Sequence, residues 1–247
     1  MMKRNKLGLI GLRLTHSFSK EYFIKVLPKK GLDDWQYDLF EIPSIEDAAF
    51  LLERQDVLGL NVTIPYKQAI LPFLNEIDQE AKEVGAVNTL VRTSKGWKGY
   101  NTDIIGFEKS YEQLALKKRP KVLIFGTGAT SRSMQYVFNK LGIEFVTVSR
   151  NPEGGSMHYM EIDKSIMKEF TMFINTTPVG MYPHVESMPF FPYHLIKKHH
   201  VLYDVHYNPF VSMFLKEGLR RGCVIKNGYQ MLKVQADASL RLWVVGS

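Results

Sequence analysis

The sequence predicts an α/β chain built in two parts. Three observations carry that expectation. Apolar runs of strand length alternate with stretches of helical periodicity along the whole chain. The pattern then changes after residues 117–120, a charged run (Lys117-Lys118-Arg119) that ends in Pro120. Beyond that break the order becomes strand, glycine turn, helix, strand, which is the order of a βαβ unit with parallel strands.

Composition narrows the class. The chain has 247 residues, 45% hydrophobic and 23% charged, enough apolar mass for one large core or two smaller ones. Its single cysteine, Cys223, rules out an intramolecular disulfide and suits a reducing, cytoplasmic setting. The apolar run at 7–12 is stopped by Arg13 and is too short for a secretory segment. No stretch approaches the roughly 18 to 20 apolar residues of a membrane span. The net charge of +7 suits anionic partners. The basic clusters, such as Lys197-Lys198 and Arg220-Arg221, are short and scattered and lack interleaved aromatics, so nucleic acid is not an expected partner.

In the first part, 6–12 reads as a buried strand and 20–27 as a helix, with Tyr22, Phe23, Val26 and Leu27 at helical spacing. Ser19 is placed as its N-cap. Ser17 and Ser19 beside a helix N-terminus can hold a carboxylate, because the helix end offers N–H donors and partial positive charge. Strands follow at 35–42 and 57–64, with a helix at 45–54 between them. Short helices are expected at 70–74 and 78–84, the latter ended by Gly85, and a hairpin at 87–92 and 96–100. Polar residues gather at the strand ends: Asn61, Thr63, Asn88, Asn101, Thr102 and Asp103. Residues 59–67, Gly-Leu-Asn-Val-Thr-Ile-Pro-Tyr-Lys, end a strand with Asn61 and Thr63 on one side. They also put Lys67 in the first turn of the next element.

An amphipathic helix over 104–116 leads to the second part. There 121–125 is an apolar run of the buried parallel type. Gly126-Thr127-Gly128-Ala129 makes the turn, and 131–141 is a helix closed by Gly142. The next strand is 144–148. This is a dinucleotide-binding pattern whose third glycine position is filled by Ser131. Its second strand ends Val148-Ser149-Arg150-Asn151, with no carboxylate for a ribose hydroxyl and an arginine suited to a 2′-phosphate. That favours NADP over NAD. Further strands are expected at 172–176 and 201–205. Pro209 is placed at the first position of a helix running to Arg221, with Gly222 as its cap. In the last helix, 229–243, Met231, Gln235, Ala238 and Leu242 share one face, and Gln235 is the polar member of that stripe. A buried amide must find partners, either protein backbone or a ligand.

In this order, several segments resemble the shikimate dehydrogenase family over nearly the whole chain. They are His16-Ser17-Phe18-Ser19, the 61–67 segment, Gly85 to Thr89, Asn101-Thr102-Asp103 with Gly106, and Asn175 to Met181. Asp204 with Tyr207-Asn208-Pro209, and Gly228 through Met231-Leu232 to Gln235, complete the set. The resemblance implies an N-terminal α/β substrate domain over 1–103, completed by 223–247, and a Rossmann-type NADP-binding domain with a parallel sheet over 104–222. It also implies an active-site cleft between them, in a monomer or homodimer. The implied reaction is the reversible NADPH-dependent reduction of 3-dehydroshikimate to shikimate, on the way to chorismate and the aromatic amino acids.

By position, Ser17 and Ser19 would hold the substrate carboxylate, and Thr63, Asn88, Asp103 and Gln235 its other oxygens. Lys67 would be the acid/base residue working with Asp103. Gly126, Thr127, Gly128, Ala129, Thr130, Ser149 and Arg150 would bind NADP. Asn175, Thr176, Val205 and Gly228 would border the nicotinamide, and Tyr207 would lie between the two ligands. Asn61 would brace the site more than touch substrate.

The residue types suit that chemistry. Hydride reaching a carbonyl carbon leaves an alkoxide, which a nearby ammonium can stabilise and protonate. No metal is required, and the seven histidines and one cysteine show no ligand spacing. The chain departs from the family pattern at Lys20 (family proline), at Phe23-Ile24 (family His-Asn) and in the glycine turn, where Ala129 follows Gly128 and Ser133 replaces an alanine. The competing readings are an NAD(P)-dependent quinate/shikimate dehydrogenase and a non-catalytic NADP-responsive binding protein. Arg150 speaks against NAD, and the Lys67–Asp103 pair has no purpose in a mere binder.

Overall fold

The computed structural model describes residues 5–14 and 18–246. They divide into two compact units, one holding the residues up to Thr102 and from Gln235 onward, the other Asp103–Val234. In chain order the first elements are β1 (Asn5–Gly11), α1 (Phe18–Val26), β2 (Trp35–Glu41), α2 (Ala48–Glu53), β3 (Val57–Val62) and α3 (Tyr66–Ala69). They continue with β4 (Glu76–Ile77), α4 (Gln79–Val84), β5 (Thr89–Thr93), β6 (Gly96–Tyr100) and α5 (Thr102–Glu112). Then come β7 (Val122–Phe125), α6 (Ala129–Leu141), β8 (Phe145–Ser149), β9 (Met157–His158) and α7 (Lys164–Glu169). The chain closes with β10 (Met172–Asn175), β11 (Val201–Asp204), α8 (Met213–Arg220), β12 (Val224–Asn227) and α9 (Tyr229–Gly246).

The first unit is built on a mixed six-stranded sheet in the order β2-β1-β3-β5-β6-β4. β1 lies second from one edge and is parallel to both β2 and β3, while β5 runs antiparallel to β3 and β6. One apolar cluster contains Ile10, Leu51, Leu60, Val62 and Trp97, and a second contains Leu7, Phe23, Tyr37, Leu240 and Trp243. The second cluster is aromatic at its centre: the Phe23 ring stacks on Tyr37 at 4.5 Å and lies 5.3 Å from Trp243. Phe23, one of the departures from the family pattern, is thus a core residue with no exposure. The indole of Trp243 donates to Leu90 O at 2.9 Å, fixing α9 to this sheet.

The second unit holds a sheet in the order β12-β11-β10-β7-β8-β9, in which every pairing is parallel. Counted along the chain, its strands run third, second, first, fourth, fifth, sixth across the sheet, which is the doubly wound Rossmann order. The order reverses between β7 and β10. All four residues of β7 are buried, which is why that segment reads as an unbroken apolar run.

The structure moves several sequence expectations. Helix α1 begins at Phe18, so Ser19 is a first-turn residue and not the N-cap. The expected helix over 70–74 is instead the single turn α3 followed by a 3-10 turn at Leu71–Phe73, because Pro72 has no N–H to continue an α-helix. Pro209 does not open α8. That helix starts at Met213 and is capped by Ser212, whose hydroxyl accepts from Leu215 N–H. Gly222, at φ 70°, closes it as expected. The segment 223–234, assigned to the first domain by the sequence, pairs β12 with β11 and belongs to the second unit.

His200 gives the second unit a pH dependence. It is fully buried, its Nδ1 accepts from Lys197 N–H at 3.1 Å, and its Nε2 lies 3.1 Å from Met167 O. Those partners fit a neutral ring with its proton on Nε2. Burial, helped by neighbouring His199, pushes its pKa from 6.5 down to about 4. The unfolded chain therefore takes up a proton that the folded chain refuses. Stability is expected to fall as pH drops from about 6.5 toward 4, by up to about 1.4 kcal/mol per pH unit. Thermal unfolding at pH 7 and pH 5 should show a smaller acid loss in His200→Gln than in the parent. An equal loss would remove this role.

Candidate active site

Strand ends of the first unit deliver a buried cluster of polar side chains. β3 brings Asn61, the β5 entry brings Asn88 and Thr89, the start of α5 brings Thr102, and α9 brings Gln235 and Ser239; all are buried. Asn61 Oδ1 accepts from the Tyr37 hydroxyl at 2.8 Å. Its Nδ2 donates to Asn88 O, Thr89 Oγ1 and Ser239 Oγ at 3.1, 3.2 and 3.1 Å. Its amide is thus filled by protein, and Asn61 braces the cluster. The Oδ1 atom of Asn88 accepts the Thr102 backbone N–H at 2.7 Å and is approached by the Thr102 and Thr89 hydroxyls. Asn88 Nδ2 donates to Gln235 Oε1 at 3.4 Å.

The other expected residues of this unit stand at its turns. Thr63 follows β3, half-buried, with its N–H on Ile10 O and its carbonyl accepting from Tyr66 N–H, both at 2.9 Å. Lys67 sits in α3, half-buried, and its carbonyl accepts from Val87 N–H at 2.9 Å, which ties this turn to the residue before Asn88. Ser19 is half-buried and hydrogen-bonds the Tyr37 hydroxyl, whose pKa burial pushes well above the usual phenol range. Ser17 lies outside the described residues. Asp103, a buried acid in the first turn of α5, belongs by contrast to the second unit, which begins with it.

In the second unit the turns at the carboxyl ends of β7 and β10 flank the point where the strand order reverses, the place where open α/β sheets bind ligands. Gly126 has φ 104°, and a Cβ there would fall 2.8 Å from Thr176 Oγ1, so glycine is required. Gly128 is the N-cap of α6 with no side-chain cap, and a Cβ there would meet nothing within 4 Å. The open space over that helix N-terminus fits a pyrophosphate cradled by backbone N–H groups. Thr127 is exposed, whereas Ala129 and Thr130 form the half-buried first turn of α6. Ser131 is fully buried, as the third glycine position of the motif requires.

β8 ends at Ser149, whose hydroxyl bonds Asn151 N–H and carbonyl, leaving Arg150 exposed at the strand tip. Thr176 Oγ1 donates to Phe125 O at 2.6 Å and so joins the two turns. Asn175 has no exposure. Its Nδ2 donates to Val179 O and Asp204 Oδ1, and its Oδ1 accepts from Thr177, so its amide supports the loop from beneath.

Asp204 gathers the neighbouring loops: it accepts from Ser212 Oγ at 2.5 Å and His206 N–H at 3.1 Å, and His206 Nδ1 lies 3.2 Å from its Oδ1. Burial raises the carboxyl pKa and lowers that of the imidazole. Val205 and Tyr207 are half-buried on the same loop. Gly228 packs directly on Val205, where an added Cβ would stand 1.8 Å from the Val205 carbonyl oxygen.

The family model for the shikimate dehydrogenase substrate binding domain matches residues 9–90. A shikimate dehydrogenase (NADP(+)) of Caldicellulosiruptor saccharolyticus is 32% identical over 256 residues, covering 96% of this chain and 91% of the relative. The chain belongs to the shikimate dehydrogenase family. Among solved family members, the shikimate dehydrogenase of Aquifex aeolicus superposes with a TM-score of 0.89 at 30% identity, covering 98% of this chain and 93% of its own. The Thermus thermophilus family member, solved in complex with NADP(H) and shikimate, has a TM-score of 0.87 at 25% identity, covering 98% of this chain and 94% of its own. The α/β fold with a Rossmann-type second unit is therefore that of the family.

Beyond the brace expected at Asn61, sequence reasoning missed the groups that support these clusters. Tyr37, Thr89 and Ser239 complete the polar cluster, and Asp204 and His206 organise the loops of the second unit. One signal was available: Ser239 lies four residues after Gln235, so the two share a helix face, and Ser239 Oγ donates to Gln235 O at 2.9 Å. Among the described residues no group of His, Cys, Asp or Glu side chains is arranged to hold a metal. Among those residues, too, no helix is long and apolar enough to cross a membrane.

Proposed function

We propose that this chain catalyses the reversible NADPH-dependent reduction of 3-dehydroshikimate to shikimate, in the cytoplasm. The observation that carries this reading is the whole-length likeness to proteins named for that activity, in a chain that keeps both Lys67 and Asp103. When bound, NADPH supplies the hydride. Lys67 stabilises the charge that develops on the carbonyl oxygen and gives it a proton, and in the reverse direction it takes the proton back. Asp103 supplies the negative charge that orients the ammonium. Ser17 and Ser19 hold the substrate carboxylate, while Thr63, Asn88 and Gln235 bind its remaining oxygens.

The Gly126–Thr130 turn would hold the pyrophosphate, with Ser149 and Arg150 at the ribose phosphate. Thr176, Val205 and Gly228 would border the nicotinamide, with Asn175 bracing that wall and Tyr207 beside the substrate. Arg150 is the residue that separates NADP from NAD. Arg150→Ala is expected to raise KM for NADP about 10- to 100-fold, the worth of charge-assisted hydrogen bonds to a phosphate, and to change KM for NAD little. Measuring kcat/KM with shikimate and quinate, each with both cofactors, tests the assignment. A preference for quinate with NAD would replace it.

A further inference from the structure

We infer that the buried Asp204 carboxylate biases the second unit toward the oxidised cofactor, so that NADP⁺ is held in preference to NADPH and reduction of the substrate is favoured at the site. The inference rests on the nicotinamide wall proposed above and gives that wall a charge. The oxidised nicotinamide ring carries a positive charge that the reduced ring lacks. A fixed negative charge close behind the wall therefore acts on one form and not on the other.

Asp204 is linked to three of the residues assigned to that wall and its brace: Asn175, Val205 and Gly228. Asn175 Nδ2 donates to Asp204 Oδ1 at 3.3 Å, and Val205 follows Asp204 in the chain. Val205 N–H in turn donates to Asn175 O at 3.0 Å. Gly228 N–H donates to His206 O at 2.9 Å, and His206 N–H is held on Asp204 Oδ1 at 3.1 Å. The carboxylate thus stands one residue behind the wall. It has no exposure, so water screens its charge little.

The groups around Asp204 fit the ionised form. Ser212 Oγ donates to Oδ2 at 2.5 Å, while the Asn175 amide and His206 N–H both donate to Oδ1. Three donors on two oxygens leave the carboxyl acting as an acceptor. Burial raises its pKa, and these donors offset that cost. Among the described residues its one ion-pair contact is His206, whose Nδ1 lies 3.2 Å from Oδ1 and has no hydrogen-bond partner. Burial lowers the pKa of that imidazole, so above neutral pH the ring is uncharged and leaves the carboxylate charge uncancelled. Packing alone does not call for this charge. An asparagine could accept the same N–H groups and donate to the Ser212 hydroxyl.

The test is to titrate the protein with each cofactor form at about pH 8 in the absence of shikimate, where the imidazole is uncharged and the carboxylate ionised. NADPH is read by its own fluorescence and NADP⁺ by competition. Asp204→Asn, which keeps the shape and removes the charge, should raise the ratio of Kd for NADP⁺ to Kd for NADPH about ten-fold, mainly through weaker NADP⁺ binding. A purely structural loss of the wall weakens both forms alike, so an unchanged ratio would overturn the inference. The parent gives a second reading that does not depend on the variant folding. It should bind NADP⁺ at least as tightly as NADPH, and tighter binding of NADPH would overturn the inference. If neither form binds the parent, the cofactor assignment fails and this inference falls with it. If both forms bind but shikimate is not oxidised, the assigned reaction fails, and the ratio still decides the role of Asp204.

Discussion

Lys67→Ala is expected to lower kcat by roughly two to four orders of magnitude while leaving KM for shikimate and NADP nearly unchanged. The reasoning starts from charge. Oxidation of a secondary alcohol by hydride loss requires that its proton leave as the hydride does. The reverse reaction develops negative charge on a carbonyl oxygen. Lys67 is the residue assigned to both tasks, and a loss of that size equals about 3–5 kcal/mol of transition-state stabilisation. Its backbone is held independently of its side chain, since Lys67 O accepts from Val87 N–H at 2.9 Å and α3 is anchored by the buried Tyr66. Alanine should therefore remove the ammonium without moving Thr63 or Asn88. Circular dichroism and thermal unfolding should match the parent. A variant with unchanged kcat would remove the role assigned to Lys67, and one that lost kcat together with its folded structure would show that Lys67 supports the fold.

Gly228→Ala should be the most damaging single methyl addition in the second unit. The new Cβ would stand 1.8 Å from Val205 O and 2.4 Å from Val205 C, and both are backbone atoms that cannot rotate aside. Overpacking of this kind costs about 1–3 kcal/mol where side chains can adjust, and backbone neighbours put this site at or beyond the upper end. The strain can be relieved by moving the Val205 loop or the start of α9. The first shifts the wall assigned to the nicotinamide, and the second shifts the helix that carries Gln235. The denaturation midpoint and the affinity for NADP should therefore fall together. Gly128→Ala is the contrast: its Cβ would meet nothing within 4 Å in the chain itself, so it should fold normally and lose only cofactor affinity. Equal stability of Gly228→Ala and the parent would contradict the packing account.

These outcomes also show which parts of the molecule the sequence made legible. The β7–α6–β8 unit was readable because three local signals agreed: an apolar run buried on both faces, a glycine turn and an amphipathic helix. β12 was not readable, since Val224–Asn227 is short and half-exposed at a sheet edge, where no face pattern is imposed. Likewise, β4 and β9 are two residues each and carry no periodicity. The start of α8 departs from the expectation at Pro209 because the Ser212 side chain, three residues on, makes the actual cap. In the site, motif order pointed to the residues expected to touch ligands, whereas their supports depend on contacts between distant segments. Asn61 to Ser239 spans 178 positions and Tyr37 to Asn61 spans 24, and no local pattern encodes either.

The central claim is that this chain oxidises shikimate with NADP⁺. The most direct test is to mix the purified chain with shikimate and NADP⁺ and follow absorbance at the reduced-nicotinamide band. The account predicts a steady rise that depends on both compounds and is abolished to within a few per cent by Lys67→Ala. Cofactor binding without any rise on shikimate would contradict it, whether or not quinate is oxidised.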